Sequence, residues 1–220
     1  MNPIEKISRR KFLQLTGISA GGLFLVGLVP SSSTIAGVLD EAQGNQLNLF
    51  VSVQIDGKVE IIAHRSEMGT GIRTGLPQVV ADEMGADWAQ VKVIQGLANK
   101  DYGSQNTDGS RSIRNFFTIM RQMGASARLM LEQAAAQAWN VPAAECRAEN
   151  HRVKHRDGRS LGFGELAESA ARMSLPDIAN ITLKRADEFN YIGRDVPIVD
   201  LEDMTTGNAV YGADVQLPDM

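Results

Sequence analysis

The sequence predicts an α+β fold: a mixed sheet with a β-hairpin, one long helix and one or two shorter helices packed on it, and an extended C-terminal tail. Short apolar runs typical of strands occur near residues 47–63 and 91–94. The longest helical period of apolar residues extends from about Ser112 to Asn140. After Pro176 regular patterns become sparse, which indicates the tail.

The first predicted strand extends from Leu47 to Ile55, where apolar and mostly polar residues alternate. This period of two predicts one strongly apolar face. Asp56-Gly57 is a hairpin turn signal, so Val59 to Ala63 is predicted to be the return strand.

A first helix is predicted from Leu76 to Met84, with Pro77 in its first turn and Gly85 as its stop. A second shorter helix is predicted from Phe163 to Met173. Small residues at 124–127, in the middle of the long helix, either let another backbone approach closely or weaken the helix. In the tail, residues 181–184 and 210–215 have strand-like patterns.

Composition and charge restrict the function. The chain has 220 residues, 43% of them hydrophobic, which is enough for one or two domains with a sizeable core. Its formal charge is −4, and because the first thirty residues carry +3, the remainder is acidic. An acidic body argues against nucleic acid as a partner. Cys146 is the single cysteine, which excludes an intrachain disulfide and an iron–sulfur cluster held by this chain alone.

The N-terminal residues 1–36 are predicted to be an export signal. Arg9-Arg10 precedes Phe12-Leu13, an uncharged apolar run continues to Val29, and small residues follow up to Ala36. The paired arginines resemble a twin-arginine signal, which predicts a periplasmic location, with membrane association left open. A core helix and a retained membrane anchor are the alternatives, although the apolar run is shorter than the about 20 residues of a membrane span.

The glycine-rich stretch from Ser66 to Gly75 lies between a predicted strand and a predicted helix. Glycine permits positive φ and close approach of a ligand to the backbone. The unpaired N–H groups at the following helix start favour an anion, so the stretch predicts a site for a phosphate or a similar group. A tight strand-to-helix connection is the alternative.

A second polar loop at residues 103–110 also precedes a helix, and both helix starts could point into one cleft if the flanking strands are neighbours. Neither loop is a P-loop or a dinucleotide-binding fingerprint. The cleft would suit a long cofactor with many hydrogen bonds, with Arg73 or Arg111 as the phosphate counter-charge. The hydroxyl and amide groups would come from Thr70, Thr74, Gln105, Thr107 and Ser110.

Other chemistry has weaker support. The three histidines share no metal-ligand spacing, and Cys146 is typical of a small buried apolar residue. Glu67 and the Asp82-Glu83 pair could act as acids or bases, but we expect the pair on the solvated face of its helix. Asp101 and Asp108 suit turns equally well. The residues therefore form no convincing catalytic dyad or triad, and no metal site.

Several motifs together resemble the large, molybdopterin-binding subunits of the xanthine oxidase superfamily. The greatest similarity is to the isoquinoline 1-oxidoreductase β-subunit type, which includes nicotinate and aldehyde dehydrogenase large subunits. The resemblance covers nearly the whole chain in the right order. Its motifs are S-E-M-G-T-G-I-R-T at 66–74, A-D-E-M at 81–84, G-S-Q-N-T-D-G-S at 103–110, R-Q-M-G-A-S-A-R at 121–128, W-N-V-P at 139–142, G-F-G-E-L at 162–166 and T-G-N-A-V-Y-G-A-D at 206–214.

The resemblance implies a molybdenum-dependent oxidoreductase that uses molybdopterin cytosine dinucleotide. Such an enzyme hydroxylates a C–H bond of an N-heterocycle or aldehyde with oxygen from water. It passes electrons to a small [2Fe–2S] subunit and often to a c-type cytochrome. The cofactor would perform the chemistry while the protein orients it.

The resemblance also places the cofactor contacts in the two loops and assigns no catalytic residue or metal ligand to this chain. Many family members have Gln at the position of Thr70 and Gly at the position of Asp108. The latter difference adds a negative charge beside the expected phosphate. The implied cofactor-binding residues are Gly69, Thr70, Gly71, Thr74, Gln105, Thr107, Gly109 and Ser110.

By the same resemblance, residues 37–175 form the molybdopterin-binding domain, and residues 176–220 form a linker and the start of a hammerhead-like domain. The family's glutamate base lies near the far end of much longer subunits. The chain is therefore expected to be an N-terminal portion: a fragment, a truncated reading frame or half of a split subunit. A non-catalytic periplasmic binding or assembly module is the alternative.

Overall fold

The computed structural model describes residues 45–216, and the predicted export signal at 1–36 lies outside them. Within the described range, no helix is both long and apolar enough to cross a bilayer. The strands are β1 Asn45–Asn48, β2 Val51–Val53, β3 Val59–Ala63, β4 Val91–Gln95, β5 Cys146–Glu149, β6 Arg152–His155 and β7 Ser160–Gly162. The helices are α1 Ile72–Met84, α2 Arg111–Trp139, α3 Phe163–Ala171 and α4 Leu201–Thr206.

The larger sheet has the order β1-β2-β3-β4 and confirms the predicted mixed α+β fold. β2 and β3 form the predicted hairpin, with Val51 opposite Ile61 and Gly57 at a φ of 95° in the turn. β3 and β4 are parallel, and α1 forms the crossover between them. Apolar side chains of this sheet and of α1, α2 and α3 share one core.

The predicted single strand from Leu47 to Ile55 is wrong. The chain reverses after Asn48, so β1 and β2 pair antiparallel with each other. The buried Asn48 side chain fixes this reversal: its Oδ1 accepts the N–H of Phe50 at 3.0 Å, and its Nδ2 donates to the carbonyl of Met123 at 2.9 Å. Ile55, expected on the apolar face, is 73% exposed.

Helix α1 begins four residues before the predicted start. Gly71, at a φ of 73°, precedes the helix, so Gly75 lies inside it and Pro77 lies beyond its first turn. Thr74 is likewise helical. Gly85 ends the helix as predicted, with a φ of 73° that a residue with a Cβ rarely adopts.

Helix α2 confirms the predicted long helix and packs against α1. A Cβ on Gly124 would lie 2.4 Å from the carbonyl oxygen of Val80 in α1. The small residues of α2 therefore permit close helix contact, which decides between the two alternatives left by the sequence.

The second sheet has the order β5-β6-β7 and is antiparallel throughout. None of its three strands was predicted from the sequence. Cys146 at the start of β5 is buried, as expected for a small apolar residue.

The tail contains no strand among its described residues, so the strand-like patterns at 181–184 and 210–215 were misleading. Residues 182–200, which we call the C-terminal strap, cross α1 instead. The Asp82 carboxylate of α1 accepts the backbone N–H groups of residues 190–192 and a charged hydrogen bond from Lys184 Nζ.

The neighbouring carboxylate of Glu83 binds both the strap and α2. It pairs with Arg121 at 2.6 Å and Arg128 at 3.4 Å, and it accepts the N–H of Lys184 at 3.1 Å. Both Asp82 and Glu83 are fully buried. The expectation of a solvated acidic pair is therefore wrong, because long-range partners satisfy both carboxylates.

Candidate functional site

The two predicted cofactor loops leave the same edge of the larger sheet. Loop 1, residues 64–71, follows β3, and loop 2, residues 96–110, follows β4. Because β3 and β4 are parallel neighbours, their carboxyl ends meet at one edge, which is where open α/β sheets bind ligands. The sequence-based condition for a shared cleft, that the flanking strands are neighbours, is met.

Gln105 joins the two loops through its side-chain amide. Its Nε2 donates to the carbonyl oxygens of His64 at 3.2 Å and Leu97 at 3.0 Å, and its Oε1 accepts the N–H of Asn99 at 2.9 Å. These contacts use both donor hydrogens of the amide. Gln105 therefore holds the loops together, and a direct cofactor contact of its Nε2 would compete with these bonds.

Thr107 and Arg65 make two further connections between the loops. Thr107 Oγ1 donates to the carbonyl of Ser66 at 2.6 Å. The guanidinium of Arg65, a residue only 2% exposed, donates to Ser112 Oγ at 3.0 Å and to the carbonyl of Ser104. Sequence analysis did not select Arg65 as a site residue, because its position beside His64 gives no local signal of these contacts.

The backbone of loop 1 surrounds the carboxylate of Glu67. Its Oε1 accepts the N–H groups of residues 68–71 at 2.7 to 3.0 Å, and its Oε2 accepts that of Arg73 at 3.1 Å. Burial raises the pKa of Glu67, but these N–H donors outweigh burial and hold the pKa below its ordinary value. Contrary to the expectation of unpaired N–H groups, those of Gly71 and Arg73 at this helix start are therefore already paired with Glu67.

Gly69, Thr70 and Gly71 form the open part of loop 1. The φ angles of the two glycines are 91° and 73°, which confirms the expected need for glycine. A Cβ built on either glycine would find no atom within 4 Å, so the backbone is open to a ligand. The Thr70 side chain is exposed between them.

Thr74 faces the C-terminal strap. Its hydroxyl accepts the N–H of Val199 at 3.0 Å, and the residue is 5% exposed. Next to it, Arg73 Nε lies 2.7 Å from Asp200 Oδ2. The structure therefore places Thr74 under the strap, apart from the open part of loop 1.

The two arginines expected as phosphate counter-charges already face carboxylates. Arg73 pairs with Asp200, and Arg111 pairs with Asp108 at the start of α2. Neither guanidinium is therefore a free counter-charge in this structure, because a phosphate would first have to displace an acidic side chain.

Gly109 and Ser110 come immediately before α2, and both have a φ of 53°. This left-handed conformation is uncommon for serine and costs about 1 to 3 kcal/mol. Both residues are exposed, which places the Ser110 hydroxyl at the surface beside the helix start.

The residues present fit an uncharged, hydrogen-bonding edge of a cofactor, such as a pterin ring. Gly69 and Gly71 supply open backbone, and Thr70 and Ser110 supply exposed hydroxyl groups. Among residues 45–216, no three His, Cys, Asp or Glu side chains come together as a metal site.

Comparison with known proteins assigns the chain to a family of cofactor-binding domains. The family model for a molybdopterin cofactor-binding domain matches residues 24–216. The chain belongs to the molybdopterin cofactor-binding domain family. The resemblance noted in the sequence is thereby confirmed.

Three relatives are similar over almost the whole chain. The beta subunit of isoquinoline 1-oxidoreductase from Brevundimonas diminuta is 31% identical, over 98% of this chain and 32% of its own length. A nicotinate dehydrogenase subunit from Pseudomonas putida is 31% identical, over 100% of this chain and 18% of its own length. The membrane-bound aldehyde dehydrogenase (pyrroloquinoline-quinone) of Gluconacetobacter polyoxogenes is 28% identical, over 97% and 28%. The molybdopterin-domain chain thus spans about a third or less of these relatives.

Two solved structures are similar to about half of the chain. Quinoline 2-oxidoreductase from Pseudomonas putida 86 matches with a TM-score of 0.42 and 19% identity, over 54% of this chain and 15% of that one. Carbon monoxide dehydrogenase from Oligotropha carboxidovorans matches with a TM-score of 0.45 and 20% identity, over 54% and 15%.

Proposed function

We propose that this chain is the cofactor-binding portion of an exported molybdenum hydroxylase that oxidises an N-heterocycle or an aldehyde with water as the oxygen source. The observation that carries the proposal is the meeting of loops 1 and 2 at the carboxyl edge of the parallel pair β3–β4. Membership of the molybdopterin-binding family supports the cofactor class. The names of the relatives, which include an isoquinoline and a nicotinate enzyme, support the substrate class.

In this proposal the chain's own residues bind and orient the cofactor. The open backbone of Gly69 and Gly71 lets the cofactor approach without steric hindrance from a Cβ. Hydroxyl groups of Thr70 and Ser110 fix its orientation by hydrogen bonds. When bound, the molybdenum cofactor supplies the oxidation chemistry. The cytosine dinucleotide form, a [2Fe–2S] partner subunit, a c-type cytochrome, twin-arginine export and a periplasmic location are further parts of the proposal.

Metal loading of the assembled enzyme tests the proposal. The chain is coexpressed with the polypeptide that continues it and with the [2Fe–2S] subunit, and molybdenum and released cytidine monophosphate are measured per protein. We expect Thr70→Arg to reduce both strongly, because the long charged side chain would fill the open face of loop 1. The matched control Thr205→Arg, on exposed helix α4, should leave both unchanged.

Loss of molybdenum in both variants would point to a general folding defect and reject the assignment of loop 1. Full loading of Thr70→Arg would reject the assignment as well. Absence of molybdenum from every assembly would favour the competing hypothesis of a non-catalytic binding or assembly module.

A further inference from the structure

Glu67 occupies the position at which an anionic ligand would be expected. Backbone N–H groups at a helix start attract anions, and the helix dipole adds to the attraction. Here four N–H groups of the loop before α1, from residues 68–71, and one of its first turn, from Arg73, already point at one carboxylate at 2.7 to 3.1 Å. A phosphate at the same place would need to displace Glu67 and would meet its negative charge.

The same contacts argue against Glu67 as a general base. The N–H donors to its two carboxylate oxygens keep its pKa below the ordinary value despite burial. A carboxylate that is stabilised in its charged form is a weak acceptor of protons near neutral pH. Its chemistry is therefore that of a fixed anion inside the loop.

The fixed anion also determines which groups of loop 1 remain for a ligand. With the N–H groups turned toward Glu67, the open backbone face of Gly69 and Gly71 and the exposed side chain of Thr70 are what the loop presents outward. Charge-assisted hydrogen bonds are stronger than neutral ones, so these five contacts stabilise this shape of the loop without a ligand.

We propose that Glu67 is a positioning residue: it holds loop 1 in the shape that contacts an uncharged part of the cofactor, and it keeps phosphate groups away from the start of α1. The link to the cofactor rests on the proposed function above. The occupation of the N–H groups by Glu67 rests on the structure of this chain alone.

Amide hydrogen exchange of the full chain, followed by NMR, tests the hydrogen bonds directly. In the wild type we expect protection of the N–H groups of residues 69–71. Glu67→Ala should accelerate their exchange by at least about tenfold, because hydrogen bonds to charged groups exceed neutral ones in strength. In Glu67→Gln, which keeps one acceptor oxygen, the exchange rates should lie between those of the wild type and of Glu67→Ala. Unprotected amides in the wild type would overturn the proposal even if the Ala variant fails to fold.

Titration with inorganic phosphate distinguishes the proposal from a purely structural role, because removing a merely structural glutamate would not create phosphate binding. We expect no phosphate-induced shift of these amide signals in the wild type and a saturable shift in Glu67→Ala, in which the N–H groups are vacant. The matched control is Glu168→Ala, which removes an exposed glutamate of α3 whose partner is Arg172. It should behave as the wild type.

Phosphate binding to loop 1 in the wild type, or its absence in a folded Glu67→Ala variant, would reject the proposal. Neither measurement needs molybdenum. If Glu67 fails these tests while Thr70→Arg abolishes metal loading, the proposed function stands and this inference falls. If loading is unaffected while the tests succeed, the loop is positioned as inferred but the cofactor assignment is wrong.

Discussion

The imidazole of His64, at the start of loop 1, is fully buried among the rings of Phe50, Tyr102 and Phe116. Neither of its ring nitrogens has a hydrogen-bond partner among residues 45–216. Burial, and second the charge of neighbouring Arg65, lower its pKa to about 4. His64 is thus held neutral by its apolar surroundings, and its function here is packing.

This buried imidazole predicts acid sensitivity. The unfolded chain binds a proton at His64 near pH 6.5 but the folded chain only near pH 4, so stability is complete above 6.5 and is lost as the pH falls. Between pH 7.5 and 5 the loss is about 2 kcal/mol. Urea unfolding across this range measures it. The free energy of unfolding of His64→Phe should fall by about 2 kcal/mol less over this range than that of the wild type. The explanation would be contradicted if the two proteins lost the same stability between pH 7.5 and 5.

Gly124 gives a second prediction at the scale of one residue. Helix propensity alone favours Gly→Ala by about 1 kcal/mol. At this position the new Cβ would lie 2.4 Å from the Val80 carbonyl and 2.9 Å from Glu83 Cβ, so α1 and α2 would have to separate. We expect Gly124→Ala to destabilise the protein by about 2 kcal/mol in urea unfolding.

The matched control for Gly124 is Gly75→Ala in α1. A Cβ there would make only an ordinary contact, 3.6 Å from the Ile113 side chain, so this variant should be equally stable or more stable. Equal effects of the two substitutions would show that helix contact does not set the requirement for glycine.

At the scale of elements, the C-terminal strap is held mainly by side chains of α1 and α2. Burial raises the pKa of Asp82, but the N–H groups of residues 190–192 and the side chain of Lys184 lower the pKa by more, so the carboxylate stays charged. Gln78 and Arg128 add bonds to strap carbonyls. An irregular segment is thereby fixed without joining a sheet.

Removing the Asp82 carboxylate should therefore release the strap. Asp82→Ala would remove the counter-charge of the Lys184 ammonium, which keeps only the Asp82 backbone carbonyl as a partner, and would leave three N–H groups without their acceptor. We expect the two losses together to cost about 3 kcal/mol. We expect that loss in urea unfolding, together with rapid proteolysis within residues 182–200. Asp187→Ala, on an exposed part of the strap, is the control and should change stability little. An unchanged cleavage rate in Asp82→Ala would disprove the anchoring function.

At the scale of the whole molecule, features with local signals could be predicted from the sequence. The hairpin at Asp56-Gly57 and the long helix α2 depend on turn chemistry and period, and both are present. The reversal after Asn48 was not predicted: besides the local bond of Asn48 to Phe50, it depends on a bond to Met123, 75 residues away, which leaves no local signal. Burial of Asp82 likewise depends on partners more than 100 residues later.

In the candidate site, too, some features could be predicted from the sequence and others could not. The meeting of the two loops followed from the assumption that their strands are neighbours, and the need for glycine at 69 and 71 followed from the turn. The contact of Glu67 with its own backbone depends on the three-dimensional path of the loop. The available signal was an acidic residue just before a helix start, where negative charge is favoured.

The distance along the chain between α1 and the C-terminal strap has a consequence for biosynthesis. A ribosome releases Asp82 and Glu83 about 100 residues before their strap partners at Lys184 and residues 190–192. Glu83 can pair earlier with Arg121 and Arg128 of α2, but until then Asp82 lacks its partners and its carboxylate stays hydrated on a surface that the strap later covers. Contacts of such sequence separation form late, since loop closure must precede them. The strap can thus cover α1 only after α2 has been made, and α1 becomes fully buried only then.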